Sequence, residues 1–181
     1  GANPNAARDY TDETYLHRIS RGALNTNDDR KTIEFLLRAG ADIGARDRKG
    51  RTALHRATAN NTAILLSHSC TRSIVNERDN RGRTALHYAV GYSEGVAKHC
   101  SIRAARLLVG AGAEVNGVDK FGRTPLHYVH SEREDEVASI VTYLLSAGAD
   151  PRIRNADGDD AMRAAALNGD EKVVRLLAGI L

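Results

Sequence analysis

Asp119-Lys-Phe-Gly-Arg-Thr-Pro-Leu-His127 decides how this chain is read, because the same nine positions recur along it. Asp47-Arg-Lys-Gly-Arg-Thr-Ala-Leu-His55 and Asp79-Asn-Arg-Gly-Arg-Thr-Ala-Leu-His87 are close copies, and Asn155-Ala-Asp-Gly-Asp-Asp-Ala-Met-Arg163 is a weaker one. Asp9-Tyr-Thr-Asp-Glu-Thr-Tyr-Leu-His17 keeps the Asp, Thr, Leu and His but has Asp12 in place of the glycine. Thr14, Thr52, Thr84, Thr124 and position 160 follow one another at 38, 32, 40 and 36 residues. Self-similarity at such a period marks stacked supersecondary units.

Each copy obeys local rules. Asp-x-x-Gly is turn chemistry, with Gly50, Gly82, Gly122 and Gly158 supplying a positive φ. Asp12 is tolerable there, since Asp enters that region more readily than most side chains. The threonines stand where a hydroxyl caps a helix, and Pro125 follows Thr124 where its missing N–H costs nothing. A second helix is read in each of Phe35-Leu-Leu-Arg-Ala-Gly-Ala-Asp42, Arg106-Leu-Leu-Val-Gly-Ala-Gly-Ala-Glu114 and Tyr143-Leu-Leu-Ser-Ala-Gly-Ala-Asp150, closed by Gly40, Gly112 and Gly148. The unit is turn, helix, helix, turn. Two short helices with one apolar stripe each cannot bury it alone, so neighbours must stack.

Composition agrees. Trp is absent and Phe occurs twice, so the core must be Leu, Ala, Ile and Val. Two cysteines, Cys70 and Cys100, are no disulfide framework, and a reducing, intracellular setting, cytoplasmic or nuclear, is expected. No apolar run reaches the length of about 18 residues that spans a bilayer. Net charge is +3, unevenly spread: residues 46–123 carry 14 basic against 6 acidic residues, +8, and the rest 12 against 17, −5. Such a basic middle speaks of a partner, not of the fold.

The pattern Asp-x-x-Gly-x-Thr-Pro-Leu-His followed by Leu-Leu-x-x-Gly-Ala-Asp resembles the ankyrin repeat. The resemblance implies an all-α solenoid of stacked helix-turn-helix units with projecting β-hairpin turns. Residues 1–181 are then one array: a partial repeat 1–8, then 9–46, 47–78, 79–118, 119–154 and 155–181. A start inside one unit and an apolar end at Leu176, Leu177, Ile180 and Leu181 are expected of a segment excised from a longer protein. The units exceed the usual length of about 33 residues. The excess falls around residues 22–30, 91–101 and 131–136, where longer first helices or projecting loops each absorb it. Ser67-His-Ser-Cys-Thr-Arg-Ser73 replaces the Leu-Leu and glycine stop of the second unit, so a distorted helix end is expected there.

Histidines 17, 55, 87 and 127 suggest a metal ladder, but the resemblance assigns them, with the threonines, to hydrogen bonds holding hairpin and helix start together. His68, Cys70, His99 and Cys100 lack paired Cys-x-x-Cys spacing, so no metal is expected. The acidic run Glu132–Glu136 reads as a solvated helix start. No nucleophile elbow, phosphate-binding glycine loop or His-Glu-x-x-His motif appears; neither catalysis nor a cofactor is expected. Leu108 with Glu114-Val115-Asn116 resembles the asparagine hydroxylation motif of some ankyrin arrays; the plainer reading places Asn116 in the inter-unit turn.

In ankyrin arrays the hairpin tips and first helices line a concave groove. Carried over by position, that groove is Arg48, Lys49, Arg51 and Arg56; Arg81, Arg83, Tyr88 and Tyr92; Lys120, Phe121, Arg123 and Tyr128. Asp157, Asp159 and Asp160 reverse the sign at one end, and Asp12 and Glu13 at the other. The expected function is non-catalytic binding of an acidic or amphipathic segment of another protein by a chain monomeric in isolation. Replacing Arg51, Arg83 and Arg123 by Glu is expected to abolish binding with little loss of stability. The alternatives are nucleic-acid contact through the basic tips, or service as the targeting arm of a larger enzyme or channel.

Overall fold

The computed structural model describes residues 3–22, 28–91, 101–130 and 134–179. Thr14, Thr52, Thr84 and Thr124 each end an extended approach, with ψ between 166° and 171°, and open a helical turn. Each threonine hydroxyl lies 2.8–3.0 Å from Nδ1 of the histidine three residues on, and the threonine N–H donates to the same nitrogen at 3.1–3.3 Å. The other ring nitrogen, Nε2, reaches a carbonyl of the following unit: His17 to Arg51, His55 to Arg83, His87 to Arg123 and His127 to Asp159, at 2.8–3.1 Å. A carbonyl only accepts, so the network assigns the proton to Nε2 and leaves Nδ1 to accept. The repeated His is thus a neutral cross-link between units.

Two rows of helices follow. The first-helix row runs α1 (Tyr15–Ser20), a 3-10 turn Ala53–Arg56, α4 (Ala85–Ala89), a 3-10 turn Pro125–Tyr128 and α7 (Ala161–Leu167). The second row runs α2 (Asp29–Arg38), α3 (Ala59–Leu66), α5 (Ile102–Gly110), α6 (Glu134–Ser146) and α8 (Glu171–Ala178). Each member packs on its neighbours in its own row, and the rows face each other. The helical spacing of Ile33 and Leu36, of Ala104, Ala105 and Leu108, of Val137, Ile140, Val141 and Leu144, and of Val173 and Leu177 turns four of the five second-row helices to the shared core, and α3 adds Leu65 beside buried Asn61 and Thr62. The described core is aliphatic; Phe35 and Phe121 are exposed.

Two first helices are shorter than the repeat pattern implies. The turn at Ala53–Arg56 ends because Ala57 is extended and Thr58 already caps α3 through its bond from Asn61 N–H. The turn at Pro125–Tyr128 ends where Val129 extends, with ψ 110°, and buries its side chain. Longer first helices therefore do not absorb the extra residues. Residues 134–136 open α6, and 23–27, 92–100 and 131–133 lie outside the described residues, as do Ile180 and Leu181. In the second unit the expected distortion is a 3-10 segment, Ser69–Ile74.

The hairpins join along their tips. Arg48 N–H donates to Thr11 C=O, Asn80 to Lys49, Lys120 to Arg81 and Ala156 to Phe121, at 2.8–2.9 Å. Strands β1 (Ala7–Arg8) and β2 (Glu13–Thr14) make the first hairpin, where Asp12 takes φ 53° as its place in the repeat requires. On the far side of the array, asparagines tie the turn after one second helix to the end of the next. Asn5 bridges Gly40 C=O and Asp42 N–H, Asn76 bridges Gly112 and Glu114, and Asn116 bridges Gly148 and Asp150. Asn116 is thereby a structural tie. Gly44 holds the corresponding place before the irregular Ser69–Ile74 unit and has no amide to offer.

Two predictions follow from this packing. Gly82 has φ 81°, and a Cβ there would lie 2.9 Å from Lys120 N, whereas a Cβ on Gly158, at the same φ, meets nothing within 4 Å. Gly158→Ala should cost only the left-handed strain of about 1–2 kcal/mol, and Gly82→Ala distinctly more, as compared by urea midpoints. The second concerns pH. Burial lowers the pKa of His17, His55, His87 and His127, and brings His55 and His87 to about 4. Between about 6.5 and about 4 the unfolded chain therefore binds more protons than the folded one. Stability is complete above this window and falls as pH drops through it. Asp47 and Asp79, whose pKa values are also lowered, add their loss only at lower pH. Chemical denaturation from pH 7.5 to 4.5 should show this decline; a flat profile would contradict neutral, cross-linking imidazoles.

Candidate partner-binding face

The turn residues sort into two sets by where their side chains go. Asp47 Oδ1 accepts the N–H groups of Lys49 and Arg51 at 2.9 Å, and its Oδ2 takes the Arg51 guanidinium at 2.6–2.7 Å. Asp79 does the same for Arg81 and Arg83, and also accepts Tyr88 Oη–H at 2.7 Å. Arg51 and Arg83 are 7% and 2% exposed. Burial alone would raise both aspartates; the side-chain and backbone hydrogen bonds from the arginines outweigh it and hold the carboxyls below their usual range. The Arg83 guanidinium also lies 5.1 Å from the Tyr88 ring centre.

The remaining tip side chains face outward. Arg48, Lys49, Arg81, Lys120 and Phe121 are exposed, and so is Tyr10, at 88%, on the first tip. Tyr88 and Tyr128 are half-buried on the first-helix row, with the Tyr128 hydroxyl donating to Asp119 at 2.6 Å. Burial and the neighbouring carboxylates raise both phenol pKa values. Arg123 turns the other way from Arg51 and Arg83. Its guanidinium is 3.7 Å from Asp157 of the next unit, over the ring of Phe121, and its side chain is 40% exposed. Among the described residues no group of three or more His, Cys, Asp or Glu is placed to hold a metal, and no helix is long and apolar enough to cross a membrane.

Units linked in series by Thr–His cross-links, glycine-turned tips and Leu-rich second helices have clear counterparts. The family model described as ankyrin repeats, three copies, matches residues 16–99 and 95–180. The chain belongs to the ankyrin-repeat family. Its curated relatives include the nuclear factor NF-kappa-B p105 subunit of Gallus gallus, 30% identical over 81% of this chain and 14% of that protein. The B-cell lymphoma 3 protein homolog of Mus musculus is 34% identical over 80% of the chain and 32% of that protein. The neurogenic locus notch homolog protein 1 of Xenopus tropicalis is 29% identical over 86% and 6%. The chain thus spans a third or less of the length of each of these relatives.

Against the groove drawn from ankyrin positions, the array requires corrections. Arg51 and Arg83 do not project as exposed fingers; they are interior cations, because an aspartate four residues back is aimed at each. Their burial against Asp47 and Asp79 means that replacement by Glu should cost stability, contrary to the expected indifference. Arg56 is half-buried and pairs with Glu13 at 3.1 Å, and Glu13 itself is buried, so it adds little acidic surface to the first tip. Tyr92 lies outside the described residues. The sequence reading also passed over Tyr10, which occupies the tip position of Arg48 and Lys120.

A partial sequence signal for the buried arginines exists. Asp47/Arg51 and Asp79/Arg83 share a four-residue spacing, but Asp119/Arg123 shares it too and Arg123 turns outward; where Asp159 replaces the arginine, Asn155 replaces the aspartate. Asn155 Oδ1 still accepts Asp157 and Asp159 N–H at 2.9–3.0 Å, without setting a carboxylate against Asp159. Arg83→Glu buries two like charges and should destabilise by about 3–5 kcal/mol. Exposed Arg81→Glu should shift stability by no more than about 0.5 kcal/mol. Equal thermal midpoints for the two variants would return Arg83 to the surface.

Proposed function

We propose that this ankyrin array is a non-catalytic binding module that holds an acidic or amphipathic segment of another protein across its hairpin tips and first-helix row. Ankyrin repeats are general protein-interaction scaffolds, so the fold supplies the class of function and the surface must supply the specificity. The observation that carries the reading is the strip Arg48, Lys49, Arg81 and Lys120, exposed in three consecutive units and flanked by Tyr10 and Phe121. Exposed aromatic rings beside cations are the residue types that dominate interface energetics. The half-buried Tyr88 and Tyr128 lie on the first-helix row of the same units, each bonded through its hydroxyl to the aspartate of its own turn. We further propose that repeats 9–46, 47–78, 79–118, 119–154 and 155–181 act as one array, monomeric and intracellular, in the cytoplasm or nucleus.

Fluorescence anisotropy tests the reading with a labelled peptide carrying glutamate at every third residue, its lysine counterpart and a single-stranded oligonucleotide of equal charge. The glutamate peptide should bind and weaken as salt is raised, because exposed charges are screened. The R48E/K49E/R81E/K120E variant should lose roughly tenfold or more in affinity while keeping its melting temperature. Binding of the lysine peptide as tightly as the glutamate peptide would overturn the reading. Tighter binding of the oligonucleotide would assign the tips to nucleic acid instead.

A further inference from the structure

Along the row of tips the charge changes sign after the third basic tip. Arg48, Lys49, Arg81 and Lys120 are followed, on the next tip, by Ala156 and Asp157. The Asp157 side chain is 68% exposed, with Arg123 at 3.7 Å. Beside it lies a cleft of about 380 Å³ between the last two first-helix elements, lined among others by Tyr128, Leu167, Asp157, Asp159, Arg123 and His130. Asp159 is engaged by Arg163 at 2.5 Å, which leaves Asp157 as the exposed carboxylate of the cleft. Leu167 is 71% exposed, a large aliphatic side chain uncovered next to two carboxylates. The Tyr128 hydroxyl is already bound to Asp119, so the ring is what Tyr128 offers the cleft.

We propose that this cleft receives one cationic side chain, arginine or lysine, from the same protein segment whose acidic residues meet the basic tips. The inference rests on the reading given above. An aliphatic stem laid on Leu167 and the Tyr128 ring, with its charge at the exposed Asp157, satisfies both the apolar and the acidic part of the lining. An acidic side chain there would meet like charge, so the cleft also selects against partners that are acidic throughout. Position follows from the packing of the row. Neighbouring first-helix elements are in contact and packed helices lie about 8–10 Å apart, so successive tips are about 10 Å apart. An extended segment rises about 3.3 Å per residue. The cation therefore sits three residues beyond the acid that faces Lys120.

The test uses three peptides identical in their glutamates at every third residue and differing only at the next third position, which is Arg, Gln or Glu. The protein should prefer Arg over Glu by about tenfold at low salt. Asp157→Lys should abolish or reverse that preference, and Asp157→Asn should weaken it. Glu171→Lys, an equal charge change at an 81% exposed site on α8, should leave the preference intact. Equal affinity for the three peptides, or an Arg preference that survives Asp157→Lys, overturns the cleft assignment while leaving the basic strip standing. Failure of every glutamate peptide to bind overturns the strip and the cleft together.

Discussion

A neutral imidazole that belongs to two units at once is the constraint on which the array depends. Each ring is fixed by its own unit's threonine on one side and spends its only proton on the next unit's carbonyl on the other. Net, each bond contributes about 1 kcal/mol, but leaving such a group buried without its partner costs about 1–3 kcal/mol. A unit that shifts against its neighbour therefore loses more than packing. The cross-link also sets the register of the hairpins, because the carbonyls it grips belong to the residues that follow the turn.

That register decides which charges remain available. Once the hairpins are aligned, Asp47 and Asp79 draw Arg51 and Arg83 inward to complete the turn, and the positions between them are left outside. The same hairpin thus carries a structural cation and a surface cation only a few residues apart, and their chemical identity gives no hint of which is which. Two different pressures act on neighbouring arginines. One is answerable to the turn's own aspartate, the other to whatever meets the face.

The turn glycines, the threonine caps, the Thr–His bonds within a unit and the Leu-rich second helices were legible in the sequence, because each depends on residues within a few positions of one another; the second bond of each histidine, to a carbonyl 28–36 residues away, was not. The tolerance of Asp12 for a positive φ was legible for the same reason. What escaped was set by neighbours farther away or by competition. Arg51 and Arg83 look like surface residues until the aspartate four positions back is seen to aim at them. Glu13 looks like an acidic tip until Arg56 of the next unit covers it. The brevity of the turns at Ala53–Arg56 and Pro125–Tyr128 came from Thr58 claiming the next cap and from Val129 burying itself, neither of which the repeat pattern encodes. Tyr10 stands out only once its tip is seen beside those of Arg48 and Lys120.

The asparagine ties on the second-helix side are not continuous. Where Asn5, Asn76 and Asn116 rivet one helix end to the next, Gly44 leaves a gap, and the helix end it would have gripped is the 3-10 segment Ser69–Ile74. That joint is held from inside instead: the Asn61 side-chain amide donates to the carbonyls of Ile19 and Ser20, beside the His17 cross-link and the Arg48–Thr11 tip bond.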